Sequence, residues 1–280
     1  MQYHLNGLSM KEESINRLQE YEPEEGYYLA FSGGKDSQVL YHLAIEAGVK
    51  FDAHFKKTTV DPPELLKFIR DNYPDVIWHH PDRSMFKLIA TKRLPPTRVA
   101  RYCCHYLKEM GGVGRIVLSG VRWEESLNRR SRVVYDPDYK GKKKAYMNPI
   151  LDWKTTDVWE YLNGNGIEHC VLYDRGYHRI GCILCPMQTK SGKLRDCVNY
   201  PKFVNAYMRA FQRMLDKNIH DGHAINKPLK TPFDVLCWWM EFDERDLKKL
   251  ELQGVFFDDR RMYVDSEKGN SESDGCVLFR

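Results

Sequence analysis

The sequence has no long apolar run. Its 280 residues are 42% hydrophobic, with a mean hydropathy of −0.60, and no stretch approaches the ~20 apolar residues that a membrane-spanning helix needs. A transmembrane helix is therefore excluded, and we expect no membrane partner. The first residues, Met1 to Asn6, lack the basic-then-apolar form of a signal peptide. A cytoplasmic location is the default expectation.

The sequence also lacks a strong excess of either charge. It has 43 basic and 39 acidic residues, a net charge of +4, which by itself is too weak to indicate a nucleic-acid partner. It contains no internal repeats and no low-complexity tracts. Eight cysteines in a chain without a secretion signal argue against a disulfide framework and favour metal or redox chemistry.

One short loop carries the clearest chemical signal. An apolar strand ends at Phe31 and runs into Ser32-Gly33-Gly34-Lys35-Asp36-Ser37, which is followed by a helical pattern. Glycines let backbone amides approach an anion closely, and a helix that begins just after them points its unpaired N–H groups at the same place. Lys35 adds a positive charge, and Ser32 and Ser37 add hydroxyls. These features predict a phosphate-binding loop, although its spacing is not the Gly-x-x-x-x-Gly-Lys of kinases and GTPases.

Strand and helix patterns alternate on both sides of this loop. The predicted strands lie at 27–31, 49–55, 76–79 and 115–120, and the predicted helices between them at 38–47 and 64–72. Such alternation indicates an α/β fold: a doubly wound, mostly parallel sheet with helices on both faces. Ligands of these sheets bind at the carboxyl ends of the strands. The loops after Phe31 and Ser119 are therefore expected to face one pocket.

Three regions are predicted from the composition. Residues 1–26 form an N-terminal helical segment, residues 27–190 a nucleotide-binding domain, and residues 191–280 a helical C-terminal extension that ends in a loose tail.

The eight cysteines fall into two pairs and four single residues. Cys182 and Cys185 form a Cys-x-x-Cys pair, and Cys103 and Cys104 are adjacent. The pair alone is ambiguous among zinc, an iron–sulfur centre and a redox dithiol. Four thiolates from two loops would complete a tetrahedral metal site or hold one [4Fe–4S] cluster, whereas the simplest alternative is two buried cysteines and a zinc clip. Three other cysteines are interpreted as structural or core residues: Cys170, Cys197 and Cys237.

These motifs together resemble a known family. The loop at 32–37 resembles the PP-loop of ATP pyrophosphatases, in the adenine nucleotide alpha-hydrolase-like superfamily. Tandem Cys-Cys followed far downstream by Gly-Cys-x-x-Cys-Pro resembles the iron–sulfur branch of the phosphoadenosine/adenosine phosphosulfate (PAPS/APS) reductase family. Three further segments match that family's pattern in order: Arg101-Tyr102-Cys103-Cys104, Gly120-Val121-Arg122-Trp123-Glu124-Glu125-Ser126, and Pro149-Ile150-Leu151-Asp152-Trp153 with Asp157-Val158-Trp159.

The resemblance implies roles for individual residues. Cys103, Cys104, Cys182 and Cys185 would hold a [4Fe–4S] cluster, with zinc as the alternative metal. The nucleotide's anionic groups would be bound by the loop together with Gly120, Arg122, Arg129 and Arg130, because guanidinium groups suit phosphate and sulfate oxygens. Glu125 would orient an arginine. Asp36 would either help hold Mg²⁺ on ATP or cap the helix that starts there.

Three functions from different classes are compatible with these patterns. The first is an enzyme that adenylylates an acceptor with ATP, releases pyrophosphate and installs sulfur; related proteins of that sort modify tRNA or DNA, and a sulfur or electron donor protein would be a partner. The second is a reductase that converts APS or PAPS to sulfite. The third is a non-catalytic nucleotide- or nucleic-acid-binding module with a structural metal.

Two features favour the first function. Reductases of the family typically carry a degenerate loop, whereas Gly33, Gly34, Lys35 and Asp36 are all kept here, with Lys35 and Asp36 as candidate catalytic residues. Reductases also end in a Glu-Cys-Gly-Leu-His segment whose thiolate attacks sulfur, and Cys276 is only a weak match to it.

A lysine run leaves a further question open. Lys140, Lys142, Lys143 and Lys144 would suit a nucleic-acid backbone, but such runs more often form a solvated loop.

Overall fold

The computed structural model describes residues 8–137, 144–223 and 229–264. The chain forms two compact units built from interleaved segments. Unit 1 comprises residues 1–57, 61–81 and 107–181, and unit 2 comprises residues 58–60, 82–106 and 182–280. This division differs from the contiguous regions predicted at 1–26, 27–190 and 191–280, which stay predictions about domains.

The described residues include eight strands and ten α-helices. The strands are β1 Tyr27–Phe31, β2 Phe51–Lys56, β3 Ile77–His79, β4 Ile116–Leu118, β5 Tyr135–Asp136, β6 Ala145–Met147, β7 Val255–Phe257 and β8 Met262–Val264. The helices are α1 Met10–Glu20, α2 Lys35–Glu46, α3 Pro63–Asn72, α4 Met85–Lys92, α5 Tyr102–Leu107, α6 Thr155–Gly164, α7 Lys190–Asn199, α8 Pro201–His220, α9 Pro232–Met240 and α10 Glu244–Leu252. None of these helices is long and apolar enough to cross a membrane.

Unit 1 contains a six-stranded sheet in the order β3-β2-β1-β4-β6-β5. Every neighbouring pair is parallel except β5 and β6. The order runs outward from β1 in both directions, so the loops after β1 and β4 leave the same edge where the winding reverses. Such a switch point is the usual ligand site of an open α/β sheet. The predicted fold class is confirmed.

The central strand β1 turns one fully buried face toward the core. Tyr27, Leu29 and Phe31 share that face, since side chains alternate along a strand, and each is at most 3% exposed. On the other face Tyr28 is buried and Ala30 is exposed. β1 pairs with β2 in register from Tyr27 opposite Phe51 to Phe31 opposite Phe55. The loop that follows Phe31 therefore starts from a rigid position.

Helix α2 begins three residues earlier than the sequence pattern predicts. Gly34 is its N-cap residue, with an extended backbone at φ −81° and ψ 159°, so Lys35, Asp36 and Ser37 form the first turn. The prediction started the helix at Gln38 because apolar periodicity begins there. The polar first turn belongs to the helix, and this places the lysine at its positive end.

Unit 2 is mainly helical. Helix α8 packs against α4 and α9, and its core joins Tyr207, Phe211 and Trp239, whose ring centroids lie 4.9 to 6.1 Å apart. The unit also contains an antiparallel hairpin of β7 and β8. The sequence analysis predicted only helices before the tail in this region. The predicted tail at 265–280, including Cys276, lies outside the described residues.

Candidate functional site

The loop at 32–37 is braced from within by its two serines. Ser37 Oγ accepts a hydrogen bond from the Ser32 amide at 3.1 Å and donates to the Gly34 carbonyl at 2.8 Å. Gly33 has φ +71°, and a Cβ there would lie 2.7 Å from Ile69 of α3. No side chain fits at that position, so Gly33 lets the loop pass tightly beneath α3. Ser37 is buried, and its contacts are those of a brace for the loop.

Lys35 and Asp36 form the charged centre of the loop. Lys35 is only 6% exposed, and its Nζ lies 3.1 Å from Asp36 Oδ2. Arg122 Nε donates to the other oxygen, Asp36 Oδ1, at 2.8 Å. A Cβ on Gly120 would lie 3.1 Å from the Asp36 Cβ, so the loop after β4 passes directly beside the loop after β1. The two loops therefore meet as predicted, and the pocket that they were expected to share stays a prediction.

Arg122 is deeply engaged by the protein itself. Its side chain is 3% exposed, and besides Asp36 it donates to Glu124 Oε2 at 3.0 Å and to the Trp153 carbonyl and Thr155 Oγ1 at 3.3 Å. A guanidinium with this many partners holds Asp36 and joins the β4 loop to the start of α6. Its predicted role as an anion ligand stays a prediction, and its observed contacts are those of a positioning residue.

Arg129 and Arg130 differ in their surroundings. Arg129 Nη1 donates to Glu125 Oε2 at 2.6 Å, the orienting contact that the sequence predicted for Glu125. Burial lowers the pKa of Arg129, and the positive charges of Arg179 and Arg132 lower it further. Arg130 is exposed. The guanidinium groups of Arg129, Arg132 and Arg179 thus approach one another near the loop, which favours an anionic ligand there.

Tyr173 is a contact of the loop that the sequence did not predict. Its hydroxyl accepts the Lys35 backbone N–H at 2.8 Å, and Trp159 of α6 packs edge-on against its ring at 5.0 Å. Burial raises the pKa of Tyr173, so the hydroxyl stays protonated. Arg179 was missed as well; its charge acts on both Tyr173 and Arg129. No local pattern marks either residue, because each reaches the loop only through the tertiary fold.

This arrangement suits a polyanion. The first turn of α2 supplies backbone amides and the positive end of a helix. Lys35 and the arginines supply positive charge, and Asp36 holds Lys35 and Arg122 in fixed positions. Both Asp36 oxygens already contact cations. Its role as a Mg²⁺ ligand therefore stays a prediction, and it is not the cap of α2, because Gly34 is the N-cap residue and Asp36 lies within the first turn.

The four cysteines predicted to bind a metal all lie in unit 2 and are here called the cysteine quartet: Cys103, Cys104, Cys182 and Cys185. The pKa of the Cys103 thiol is raised by its hydrogen bond with Cys104, by burial and by the negative charges of Cys104, Cys182 and Cys185. The adjacent pair and the Cys-x-x-Cys pair therefore lie near enough for their charges to interact. None of the seven described cysteines forms a disulfide.

The backbone around Cys182 and Cys185 is tightly held. Leu184, between them, has φ +54°, a left-handed conformation that is uncommon for a branched side chain. Its N–H donates to Asp196 Oδ2 at 2.7 Å, and Asp196 is 1% exposed. The N–H of Ile183 donates to the Val60 carbonyl at 2.8 Å. This buried aspartate, which the sequence analysis did not single out, fixes the turn that presents both thiols.

A buried lysine tests whether the cysteine quartet fits an anionic metal–thiolate centre. Lys193 is 1% exposed; its Nζ donates to the Met240 carbonyl at 3.3 Å and lies 4.0 Å from the exposed carboxylate of Glu241. Burial lowers the pKa of Lys193, and the negative charges of Glu241 and, to a lesser extent, Cys185 oppose that shift. A buried ammonium with such weak compensation is costly. An anionic centre at Cys185 would compensate it, so these residues fit the predicted cluster.

The cluster nevertheless stays a prediction. In the described part of the chain, no group of three or more His, Cys, Asp or Glu side chains is arranged to hold a metal ion.

Three other predictions concern the lysine run and Cys237. Lys144 is 7% exposed, and its Nζ donates to the carbonyls of Glu109 and Gly111. The solvated-loop interpretation is therefore wrong for Lys144, because carbonyl groups bind its ammonium. The lysines at 140, 142 and 143 lie outside the described residues. Cys237, predicted to be core, is only half-buried.

Comparison of the sequence with known proteins identifies a matching family and several relatives. The model of the phosphoadenosine phosphosulfate reductase domain matches residues 26–188. A protein of Methanocaldococcus jannaschii, named only as uncharacterized, is 28% identical over 196 residues, which cover 66% of this chain and 47% of that protein.

Two further relatives have names that state an activity. The probable FAD synthase of Schizosaccharomyces pombe is 31% identical over 166 residues, covering 58% of this chain and 60% of the relative. The adenosine 5′-phosphosulfate reductase of Oceanobacillus iheyensis is 29% identical over 179 residues, covering 57% and 70%. The chain therefore spans about half the length of the M. jannaschii relative and under two thirds of the FAD synthase.

Proposed function

The chain belongs to the phosphoadenosine phosphosulfate reductase domain family, and from that membership we propose that it is an enzyme that uses ATP. In this proposal the loop at 32–37 binds the β,γ-pyrophosphate of ATP. The acceptor displaces pyrophosphate from ATP and becomes adenylylated, and a sulfur nucleophile from the donor then displaces AMP from the activated acceptor. The sequence predicts tRNA or DNA as the possible acceptor, and a separate protein as the sulfur or electron donor.

The observation that carries this proposal is the intact, pre-positioned lysine. Lys35 stands in the first turn of α2 with its ammonium held by Asp36, and Asp36 is in turn held by Arg122. Negative charge grows on the pyrophosphate as it leaves, and a fixed cation beside backbone amides stabilises that charge most. The sulfate of APS or PAPS is a smaller group than a pyrophosphate. The relative named FAD synthase supports chemistry on an adenine dinucleotide within this family.

The charged residues of the loop and its surroundings have distinct parts in the proposal. Lys35 neutralises the leaving pyrophosphate, and Asp36 and Arg122 keep it in place. Arg129 and Arg179 add positive charge for the remaining phosphate oxygens. Mg²⁺ would enter with ATP, bound chiefly by phosphate oxygens, since this ion typically uses few protein ligands.

The cysteine quartet would hold the [4Fe–4S] cluster, with zinc as the alternative metal. When bound, such a cluster supplies iron that can hold sulfur or pass electrons. The protein's own contribution is to position the thiols: Asp196 fixes the turn between Cys182 and Cys185, and Lys193 offsets negative charge beside Cys185.

Reduction of APS or PAPS to sulfite is the second candidate, and the relative named adenosine 5′-phosphosulfate reductase favours it. This reaction would need a nucleophilic thiol to attack the sulfur. Cys276 is the candidate for that role.

The proposal is tested by pyrophosphate release from ATP in the anaerobically purified full chain, with candidate acceptors supplied as total tRNA and as DNA. We expect Lys35→Ala to lower the rate by about 100-fold or more, the scale of losing one charge-stabilising group. Lys67→Ala, which removes an exposed lysine of α3, is the matched control and should leave the rate unchanged. Sulfite release from APS or PAPS that disappears in Cys276→Ser would instead establish the reductase.

A further inference from the structure

Unit 2 contains a cavity that the proposed ATP chemistry does not use. Its volume is about 660 Å³, within the range of small-molecule sites. Its walls come from the turn before α5, the residue after Cys185 and the end of α9. We call it the indole cavity. Its lining includes Arg98, Pro186, Trp238, Trp239, Glu241 and Phe242.

Aromatic rings form the walls of the indole cavity. Trp239 is 4% exposed and is fixed, because its Nε1 donates to the Pro96 carbonyl at 2.5 Å and its ring packs on Tyr207 and Phe211. Trp238 and Phe242 are only partly buried and present ring surface to the cavity. Flat walls of this kind suit a flat ligand, since stacked rings interact favourably over their whole area.

An ion pair stands beside these rings. Arg98 Nε lies 3.7 Å from Glu241 Oε1, and both side chains are more than half exposed. The Arg98 Nη2 group also donates to the Gln188 carbonyl at 3.2 Å, which anchors the guanidinium at this place. Glu241 has φ +60°, an uncommon backbone conformation for glutamate that ends α9 and places the carboxylate beside the cavity. An arginine donor and a carboxylate acceptor thus stand side by side at an aromatic surface.

From this combination we propose that the indole cavity binds an unpaired nucleobase that carries an exocyclic amino group. The base stacks on Trp238. Glu241 accepts a hydrogen bond from the amino group, and Arg98 donates to the neighbouring ring nitrogen or carbonyl oxygen. Carboxylates accept from the amino group of cytosine, and arginine forks donate to base acceptors. Cytosine and adenine have the required edge, whereas thymine and uracil have no amino group.

The cavity adjoins the cysteine quartet within the same unit. Pro186 of its wall follows Cys185 directly in the chain, and Lys193, whose charge interacts with that of Cys185, lies 4.0 Å from Glu241 of the same wall. A base in the indole cavity would therefore lie on the quartet's side of the unit. The base site is a property of unit 2, and binding there does not require that ATP be turned over.

The test is binding of short labelled single strands to the full chain without ATP, measured by fluorescence anisotropy with oligo(dC) and oligo(dT). We expect oligo(dC) to bind more tightly than oligo(dT). Trp238→Ala should weaken oligo(dC) binding by about tenfold, the scale of losing one stacking partner. Trp78→Ala, which removes a partly buried indole of unit 1, is the matched control and should leave binding unchanged.

A second variant keeps the test decisive if Trp238→Ala fails to fold. Glu241→Gln changes an exposed side chain and should abolish the preference for oligo(dC) over oligo(dT) while the protein stays folded. Competition with free cytidine separates the two sources of the base: displacement of the strand shows that the ring suffices, and no displacement shows that the base is recognised within a strand. The proposal is overturned if wild-type protein binds neither strand, binds both equally, or keeps its preference in Glu241→Gln.

Discussion

The loop of unit 1 and the cysteine quartet of unit 2 solve opposite electrostatic problems. In unit 1, the carboxylate of Asp36 pairs with both Arg122 and Lys35, so the protein itself holds these two cations in place. In unit 2, Lys193 is almost fully buried, and within the described chain its Nζ donates to the Met240 carbonyl at 3.3 Å and lies 4.0 Å from Glu241 Oε2. The first site is held in place by its own ion pairs, whereas the second has a buried cation in need of an anion.

The two sites therefore depend on different interactions for their shape. The loop keeps its geometry through internal hydrogen bonds and is therefore pre-organised for an anionic ligand. The cysteines of the quartet interact electrostatically, and a bound metal would supply the negative charge that Lys193 lacks, because metal ligation keeps thiols deprotonated. Changes to the loop should thus act on nucleotide chemistry, and changes to the quartet on metal content.

The largest expected effect is on metal content. Cys182→Ser should remove nearly all iron and visible absorbance from anaerobically purified protein, because a serine hydroxyl is a poor ligand for iron. Cys237→Ser changes a cysteine of the same unit outside the quartet and should keep both signals. Measurement of iron and zinc together decides the metal. Colourless wild-type protein with zinc and no iron would contradict the cluster prediction.

The next effect in size concerns the ion pairs of the loop. Arg122→Met should lower the free energy of unfolding by about 3 kcal/mol, because it leaves Asp36 and Glu124 without their buried partner. The exposed Arg130 offers a control, since Arg130→Met should change stability by less than about 0.5 kcal/mol. Urea unfolding measures both variants. Equal losses in the two would show that the loop does not depend on Arg122.

The effect of Lys193→Met should depend on whether the protein holds a metal. In metal-free protein the variant should raise the free energy of unfolding by about 1 kcal/mol, because a poorly compensated buried charge is removed. In loaded protein it should speed the loss of metal to a chelator, because the positive charge beside Cys185 is gone. The exposed Lys217 of α8 provides the control variant Lys217→Met, for which neither effect is expected. A stability loss in the metal-free state would show that the protein already compensates Lys193.

The smallest effect is a pH dependence that arises in unit 1. His54 Nδ1 lies 2.8 Å from His79 Nε2, and His54 also contacts Asp52. Burial lowers the pKa of both imidazoles, and the positive charge of Lys56 lowers it further. Below the ordinary histidine pKa of 6.5 the unfolded chain therefore binds more protons than the folded chain, so stability falls as the pH drops through 6.5 towards the lowered values.

The variant His79→Asn should flatten this dependence. The exposed His220 gives the control His220→Asn, which should leave the slope unchanged. Urea unfolding at a series of pH values below neutrality measures it. A slope that is the same in wild type and His79→Asn would rule out His79 as its source.

Local patterns predicted the parts of the molecule that are encoded locally. The strand-to-loop-to-helix passage at Phe31, the parallel sheet and the meeting of the loops after β1 and β4 all follow from periodicity and glycine placement. The start of α2 was placed too late, because the polar first turn carries no apolar period. The β7–β8 hairpin was missed in a region interpreted as helical.

Contacts that join distant segments were beyond prediction from local patterns. Tyr173 meets Lys35 across 138 positions, and Asp196 meets Leu184 within a buried turn. Their roles depend on which helices pack together, and neither residue type nor spacing marks them. The interleaving of the two units is likewise a property of tertiary packing, since each unit is assembled from three separate stretches of chain.

The central claim is that the loop at 32–37 acts on the pyrophosphate of ATP. The most direct test is side-by-side turnover of ATP, APS and PAPS by the anaerobically purified full chain, with pyrophosphate and sulfite measured in each reaction. We predict pyrophosphate from ATP when tRNA or DNA is supplied as acceptor, and no sulfite from APS or PAPS. Sulfite from either sulfonucleotide, with no pyrophosphate from ATP, would contradict the claim.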